Sequence, residues 1–152
     1  MPLALSIDTP ADGSLTSAAS IQVLGRISGG TPPYSVSISG RAATVLGESF
    51  SLALMLAEGI STLTAVGTDS TGTAATTSAT IDVDRTAPAI AITMPARNPA
   101  VAIAPTATIQ GQVGDRNLAE VRLGGVPVVV VAGTFVSTVS LPTGTSSFAI
   151  EA

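Results

Sequence analysis

Two aspartates that flank a single valine have the clearest potential for chemistry in this sequence. Asp82 and Asp84 alternate with Ile81 and Val83, so in a β-strand the carboxylates share one face and the apolar side chains share the other. Carboxylate oxygens suit calcium. We therefore predict a calcium site whose candidate ligands are Asp82, Asp84, Asp69 and Asp115, with Asp8 as a further candidate. The alternative is that the two aspartates form the solvated face of an edge strand, where charge discourages aggregation.

Catalysis has little support in the residue types present. Histidine, lysine and cysteine are absent, so a serine nucleophile lacks its usual base, and a zinc or thiol site lacks its ligands. Paired carboxylates can cleave glycosides, but none of the ten acidic residues sits in a recognisable motif. We expect no enzyme activity.

Sugar binding by sandwich modules usually depends on exposed aromatic rings, and few are available here. Tyr34 follows two prolines and Arg41 follows a glycine, which makes these two the candidate ligand-binding residues for a polysaccharide. We expect Tyr34 to be the exposed aromatic residue. The three phenylalanines, Phe50, Phe135 and Phe148, are predicted to fill the core.

Composition argues against several kinds of partner. The formal net charge is −4 and the six arginines are scattered singly, a pattern that does not favour nucleic acid. The longest apolar run, Val126–Val131, is far short of the roughly 20 residues that span a bilayer. We predict a strand there and no membrane span.

Apolar and polar residues alternate along much of the chain, and no window has a helical period. Leu3, Leu5 and Ile7 alternate toward a turn at Asp12-Gly13, which predicts a first edge strand. Further strands are predicted within 21–27, 34–38, 50–56, 63–67 and 79–83. About seven short strands per repeat, with turn signals between them, predict an all-β fold, an antiparallel β-sandwich of Greek-key type.

The chain matches itself at an offset of about 85 positions, a period that indicates whole modules rather than solenoid units. The aligned pairs are 5–10 with 90–95, 21–27 with 107–113 after a slip of one residue, and 50–59 with 135–144. A turn or strand glycine falls at matching places in both copies. We predict two tandem domains, residues 1–85 and residues 86–152.

The second copy has no counterpart of the last strand of the first. Gly67 aligns with Ala152, so Ala79, Ile81 and Val83, which we expect to be buried, have no equivalents. Three interpretations remain open. The sequence is part of a longer multi-repeat protein, or another chain supplies the strand with residues 3–7 as a candidate donor, or the second copy is a six-stranded variant.

Five motifs carry a resemblance to a known family. They are a strand that ends in proline, apolar-x-apolar-x-Gly-x-apolar, Phe-x-x-x-apolar-x-Leu-x-x-Gly, Asp69-x-x-Gly72, and Val83-Asp84-x-Thr86-Ala87-Pro88. Together they resemble the bacterial immunoglobulin-like repeats of the glucodextranase-B-like group. The resemblance extends over both copies and implies a tandem of Ig-like sandwiches.

The resemblance also implies a setting and a role. Such repeats imply a non-catalytic structural spacer or interaction module of a bacterial secreted or cell-surface protein. The alternatives are an adhesion or carbohydrate-binding module, and a filament or oligomer subunit assembled by strand donation into the incomplete second domain. The expected partners are neighbouring repeats or a larger parent chain, a polysaccharide, and a second copy that associates through the open edge of the second domain.

Overall fold

The computed structural model describes residues 1–152, and every regular element in it is a β-strand. The all-β prediction is therefore confirmed. The chain divides into two compact units, unit 1 from Met1 to Arg85 and unit 2 from Thr86 to Ala152. None of its segments forms a helix of the length and apolarity that a membrane crossing requires.

Unit 1 is a sandwich of two sheets. Its strands are β1 Ala4–Thr9, β2 Ser14–Thr16, β3 Ser20–Ser28, β4 Ser35–Ile38, β5 Arg41–Ala42, β6 Thr44–Leu46, β7 Ser49–Met55, β8 Gly59–Thr68 and β9 Ala74–Val83. One sheet has the order β1-β3-β7-β6 and the other the order β2-β9-β8-β4-β5. All pairs are antiparallel except β2 with β9, which run parallel. As predicted, β1 is an edge strand.

The core of unit 1 follows from alternation. One sheet contributes Val23, Ile27, Phe50 and Leu54, and the other contributes Val36, Ile38, Leu63, Ala65 and Ile81. Their neighbours along each strand are mostly exposed or half-buried. The expectation that Ala79, Ile81 and Val83 are buried holds.

Unit 2 repeats part of this plan. Its strands are β10 Ala89–Met94, β11 Thr106–Gly114, β12 Val121–Leu123, β13 Val126–Val128, β14 Val130–Val131, β15 Thr134–Ser140 and β16 Ile150–Glu151. They form sheets of order β10-β11-β15-β14 and β13-β12-β16. The core contains Val113, Val121 and Phe135, and unit 2 has no counterpart of β2 or β9.

Strand register shows that the two units are repeats. Leu5 pairs with Ile27 in unit 1, and Ile90 pairs with Val113 at the equivalent place in unit 2. The register shifts after Ile7 in one unit and after Ile92 in the other. The repeat read from the sequence is thus present in the hydrogen-bonding pattern, including one irregularity.

A glycine under a phenylalanine ring is the most closely packed feature that the units share. Gly25 pairs with Phe50 across β3 and β7, and Gly111 pairs with Phe135 across β11 and β15. In both units a Cβ on the glycine would overlap the phenylalanine ring. These positions accept only glycine because the ring occupies the space of a side chain.

The apolar run 126–131 does not form the single strand that we predicted. It splits into β13 and β14, which belong to different sheets, with Val129 exposed between them. Residues 41–46 of unit 1 break in the same way, between β5 and β6. Each run crosses from one sheet to the other, which is why an apolar pattern alone predicted one continuous element.

Phe148 also departs from its prediction. It aligns with the buried Leu63 of β8, yet it is half-buried and lies outside any strand. In unit 1, β8 is paired with β9 over its full length but with β4 only from Ala65 to Thr68. Unit 2 has the equivalent of β4 but not of β9, so only Ile150–Glu151 is a strand.

The glycine–phenylalanine contact predicts a large difference between two substitutions in one strand. Gly111→Ala would bring a Cβ into the Phe135 ring and to 2.7 Å from the Ala91 carbonyl oxygen, and overpacking of this kind typically costs about 1–3 kcal/mol of unfolding free energy. Gly114, also in β11, has no atom near an added Cβ. Gly114→Ala is the matched control and should change stability little. Urea denaturation measures both, and equal effects would contradict the packing argument.

Candidate functional site

The predicted calcium ligands begin with the two aspartates at the end of β9. Asp82 is half-buried and faces away from the core, while Ile81 and Val83 on either side of it are buried. The predicted alternation of faces is correct. Asp84 follows the strand, and its backbone N–H donates to the Thr16 carbonyl oxygen at 2.9 Å.

The end of β9 is not an edge strand, contrary to the alternative that we considered. Asp82 pairs with Ile60 of β8 on one side and with Leu15 of β2 on the other. The short strand β2 therefore covers the side of β9 that would otherwise be open. Protection of an exposed edge cannot explain why these two residues are acidic.

Asp69 lies at the other end of the same hairpin and does not join Asp82 and Asp84. The β8–β9 pairing runs from Gly59 opposite Val83 to Thr68 opposite Ala74. Ten residues at about 3.3 Å each place the two ends about 30 Å apart. A calcium ion held by all three carboxylates is therefore ruled out within unit 1.

The other two candidate carboxylates, those of Asp8 and Asp115, each contact a different partner. Asp8 forms an exposed ion pair, with its Oδ2 3.3 Å from Nε of Arg26. Asp115, in unit 2, accepts a hydrogen bond from the Asn117 backbone N–H at 2.7 Å, as in an Asx turn. No three acidic side chains converge in a way that could hold a metal ion. Calcium at Asp82 and Asp84 stays a prediction.

Asp69 has a structural task, which its hydrogen bonds define. Its Oδ1 accepts from the Thr71 N–H at 2.9 Å, the Thr71 hydroxyl at 2.7 Å and the Thr73 N–H at 2.9 Å, and its Oδ2 accepts from the Thr31 N–H at 3.0 Å. The residue is only 7% exposed. The Thr71 hydroxyl, with the backbone donors of Thr31, Thr73 and Thr71, lowers the pKa of Asp69 despite its desolvation.

We call Asp69 with Thr31, Thr71 and Thr73 the Asp69 cluster. It joins the β8–β9 turn to the loop before β4, because Thr31 belongs to that loop and the other two threonines belong to the turn. Ser70 strengthens the junction: its N–H and its hydroxyl both donate to the Thr31 carbonyl oxygen at 2.9 Å. One carboxylate thus organises two segments that are far apart in sequence.

Tyr34 is not the exposed platform that we predicted. Its hydroxyl donates to the Gly29 carbonyl oxygen at 2.7 Å, and its ring packs against the core of unit 1. Arg41 is exposed, but it lies beyond the other end of β4, as the first residue of β5 after the hairpin turn formed by Ser39 and Gly40, which both have positive φ. The structure does not bring the two candidate ligand-binding residues together.

Arg85 fixes the opposite end of unit 1. Its Nη2 donates to the carbonyl oxygens of Leu56 at 2.8 Å and Ala18 at 3.1 Å, and its backbone N–H donates to the Glu58 carboxylate at 3.0 and 3.1 Å. We call these contacts the Arg85 staple. Where the chain leaves unit 1, it is held to the β7–β8 turn and to the segment before β3.

Sequence reasoning missed the roles of Arg85, Glu58 and Asp12. Asp12 accepts a hydrogen bond from the Thr80 backbone N–H at 2.7 Å. The sequence indicates a turn at Asp12-Gly13 and a module boundary at Arg85, but the partners of these residues lie far away in sequence. The Asp69-x-Thr71-x-Thr73 spacing was a usable signal, since an aspartate before such residues is typical of side-chain-stabilised turns.

Comparison with known proteins places the chain in a family. A family model described as glucodextranase, domain B matches residues 3–85, which is more than half of the chain. The fibronectin(III)-like modules of Clostridium thermocellum CbhA resemble it with a TM-score of 0.50 and 16% identity, over 93% of this chain and 80% of theirs. At this identity the likeness is one of fold alone.

Two further likenesses are weaker. The I9-I11 tandem of titin has a TM-score of 0.36 and 13% identity, over 90% of this chain and 56% of that chain. SGBP-B of the Bacteroides ovatus mixed-linkage glucan utilization locus, solved in complex with a mixed-linkage heptasaccharide, has a TM-score of 0.37 and 16% identity. The match covers 97% of this chain and 43% of that chain. These scores carry no function to this chain. No curated protein matches it.

The Asp69 cluster predicts a pH-dependent loss of stability. Because the folded-state pKa of Asp69 is lowered, its contribution is present above the unfolded value of about 3.9 and is lost as pH falls through the folded value. We expect Asp69→Asn to lower the unfolding free energy at neutral pH, with the difference from the parent shrinking below about pH 4. Denaturant titrations at several pH values measure this. Asp8→Asn is the exposed control, and a difference that does not change with pH would contradict the prediction.

The Arg85 staple predicts that a residue at the end of unit 1 contributes to its stability. Arg85→Ala removes the two hydrogen bonds that Nη2 donates. Hydrogen bonds that involve a charged group are typically worth about 1.5–3 kcal/mol each, and this range is an upper guide because the Arg85 side chain is partly exposed. Arg26→Ala, which breaks the exposed ion pair with Asp8, should cost only about 0–1 kcal/mol. Thermal denaturation compares the two. Equal losses would show that the staple adds nothing beyond a surface ion pair.

Proposed function

The chain belongs to the glucodextranase domain B family, and we propose that it is a non-catalytic spacer or interaction module of a bacterial secreted or cell-surface protein. The proposal depends on where the chain enters and leaves unit 1. The secreted or cell-surface setting is part of the proposal and is supported by the family.

The observation that carries the spacer function is that the entry and exit of unit 1 lie at opposite ends of the sandwich. The Met1 carbonyl oxygen accepts from the Gly30 N–H at 3.0 Å, and an added Cβ on Gly30 would lie 2.6 Å from Oδ2 of Asp69. The first residue is thus at the Asp69 end, and Arg85 is at the other. One unit therefore holds its entry and exit points about 30 Å apart, the length of β9.

The last strand of unit 1 is joined to β2, the strand that follows β1, in a way that suits a spacer under tension. β2 and β9 run parallel, so a force that draws the ends apart slides one strand along the other and loads their hydrogen bonds together. The backbone bonds at the limits of this pairing are Gly13 N–H to Thr80 O at 2.8 Å and Asp84 N–H to Thr16 O at 2.9 Å. Asp12 adds its bond to the Thr80 N–H.

The placement of the candidate ligand residues also supports the spacer over the glycan-binding alternative. Tyr34 is held by its hydroxyl and its ring within unit 1, and Arg41 lies apart from it. The donor role considered for residues 3–7 would require β1 to leave its own sheet, where it pairs with β3 and packs Leu3, Leu5 and Ile7 against the core. Neither alternative gains a specific contact from the structure.

Pulling on unit 1 tests the spacer function. The chain has no cysteine, so cysteines introduced at Met1 and Thr86 give unique attachment points for single-molecule force measurement. We expect unit 1 to keep its length until a distinct unfolding force is reached, and Asp12→Ala to lower that force because the β2–β9 junction loses an acceptor.

Asp8→Ala is the matched control, since Asp8 is an acidic residue outside the β2–β9 junction. Equilibrium unfolding of both variants separates mechanical strength from thermodynamic stability. A unit that extends gradually at the smallest loads would overturn the spacer function, and equal unfolding forces in the two variants would overturn the role of β2 and β9.

A further inference from the structure

The first strand of unit 1 is held on one side only. β1 is the edge of its sheet and pairs with β3 through five residue pairs, which one register shift interrupts. No residue of β1 is fully buried. Two polar contacts add to the pairing: the Met1 carbonyl oxygen accepts from the Gly30 N–H, and Asp8 forms an exposed ion pair with Arg26. An exposed ion pair adds little stability, so the attachment of β1 is weak.

The last strand of unit 1 is held more firmly. β9 pairs with β8 over ten residues on one side and with β2 over three on the other. Its side chains Ala79, Ile81 and Val83 are buried, and the Arg85 staple fixes the chain directly after the strand. Tension between the two ends of unit 1 acts equally on both strands, so the strand with the weaker attachment, β1, detaches first.

The core of unit 1 does not require β1. Its nine buried members come from β3, β4, β7, β8 and β9, and none of them comes from β1. Leu3, Leu5 and Ile7 pack against this core but are only half-buried. On its other side, β3 pairs with β7 over seven residues, so β3 stays in a sheet when β1 leaves. The two sheets therefore remain packed after β1 has detached.

We propose that β1 is a strap that detaches under tension before the rest of unit 1 unfolds, so that the spacer lengthens in two steps. We call residues 1–12 the β1 strap. The inference rests on the proposed spacer function and adds how the spacer responds to force. Because the core persists without β1, the strap pairs with β3 again when the tension falls.

The direction of the strands determines the order of the two steps. Met1 lies at the Asp69 end, and β1 runs from there toward the other end, so a pull on Met1 draws β1 along β3. Once the β1 strap has left, the pull acts at Gly13, whose N–H donates to the Thr80 carbonyl oxygen at 2.8 Å. Only then is the parallel pairing of β2 with β9 loaded directly. The unfolding force that depends on Asp12 therefore belongs to the second step.

The residues released in each step determine how much the spacer lengthens. Residues 1–12 reach about 40 Å when fully extended. In the folded unit they already cover about 20 Å, the distance along β9 from the Asp69 end to Thr80. The first step therefore adds about 20 Å. The second step releases the remaining strands, from β2 to β9, and is roughly ten times longer.

Single-molecule force measurement on the full chain tests the β1 strap, with handles that do not use thiols attached at positions 1 and 86. Ser6 and Arg26 lie opposite each other in β1 and β3, and both are exposed. Directly opposite residues of antiparallel strands have a Cα separation that a disulfide can bridge. We expect the oxidised double variant Ser6→Cys/Arg26→Cys to lose the short step, and the same molecule to regain it on reduction.

Two single variants separate the steps. Leu5→Ala removes part of the contact between β1 and the core and should lower the force of the first step alone, whereas Asp12→Ala should lower the force of the second step alone. A single abrupt step in the parent chain, a short step that persists in the oxidised molecule, or a variant that lowers both forces equally would overturn the β1 strap. Gradual extension at the smallest loads would instead overturn the spacer function, so the two failures are distinguishable.

Discussion

A β-strand persists only where the N–H and C=O groups of its backbone find partners on a neighbouring strand, and this requirement accounts for the difference between the two units. β8 is a ten-residue strand whose first five residues are paired with β9 alone, because pairing on the other side begins where the Ser39 N–H donates to the Thr64 carbonyl oxygen. The equivalent stretch of unit 2 has similar turn chemistry at its glycine but no such neighbour. Only its last residues, 149–151, are paired, with β12 and with Gly124 directly after it. In both units, pairing with a neighbouring strand determines how much of this stretch is extended, and local sequence preference does not.

Alternation was enough to predict the long strands of unit 1 and the side of each that faces inward, because burial in a sandwich depends on the same two-residue period. It could not predict which sheet a strand joins. Val126–Val131 reads as one apolar run, yet Val129 marks the crossing between sheets. The short strand β2 was missed for a related reason: three residues, Ser14–Thr16, carry almost no pattern, and their partner β9 is more than sixty positions away.

The candidate site was predicted less well because spacing along a strand defines a face but not an end. Asp69 and Asp82 are close in sequence, but a hairpin of two long strands separates them by its full length. The calcium prediction needed them together. The Asp69 cluster and the Arg85 staple were beyond sequence reasoning because they use backbone groups, such as the Thr31 N–H and the Leu56 carbonyl, which are common to nearly every residue type.

The shared register of β1 and β10 has a consequence for folding. Both strands pair with their neighbours in the same register and have the same irregularity. During folding, β1 can therefore compete with β10 for pairing with β11, and β10 with β1 for pairing with β3. Such exchange is a characteristic form of misassembly between tandem repeats. What distinguishes them is polar. Asp8 meets Arg26 across the first pair, whereas Thr93 donates to the Gln110 carbonyl oxygen across the second. A swapped pairing would leave Asp8 opposite an uncharged strand, so the exposed ion pair with Arg26 forms only when β1 pairs with its own neighbour.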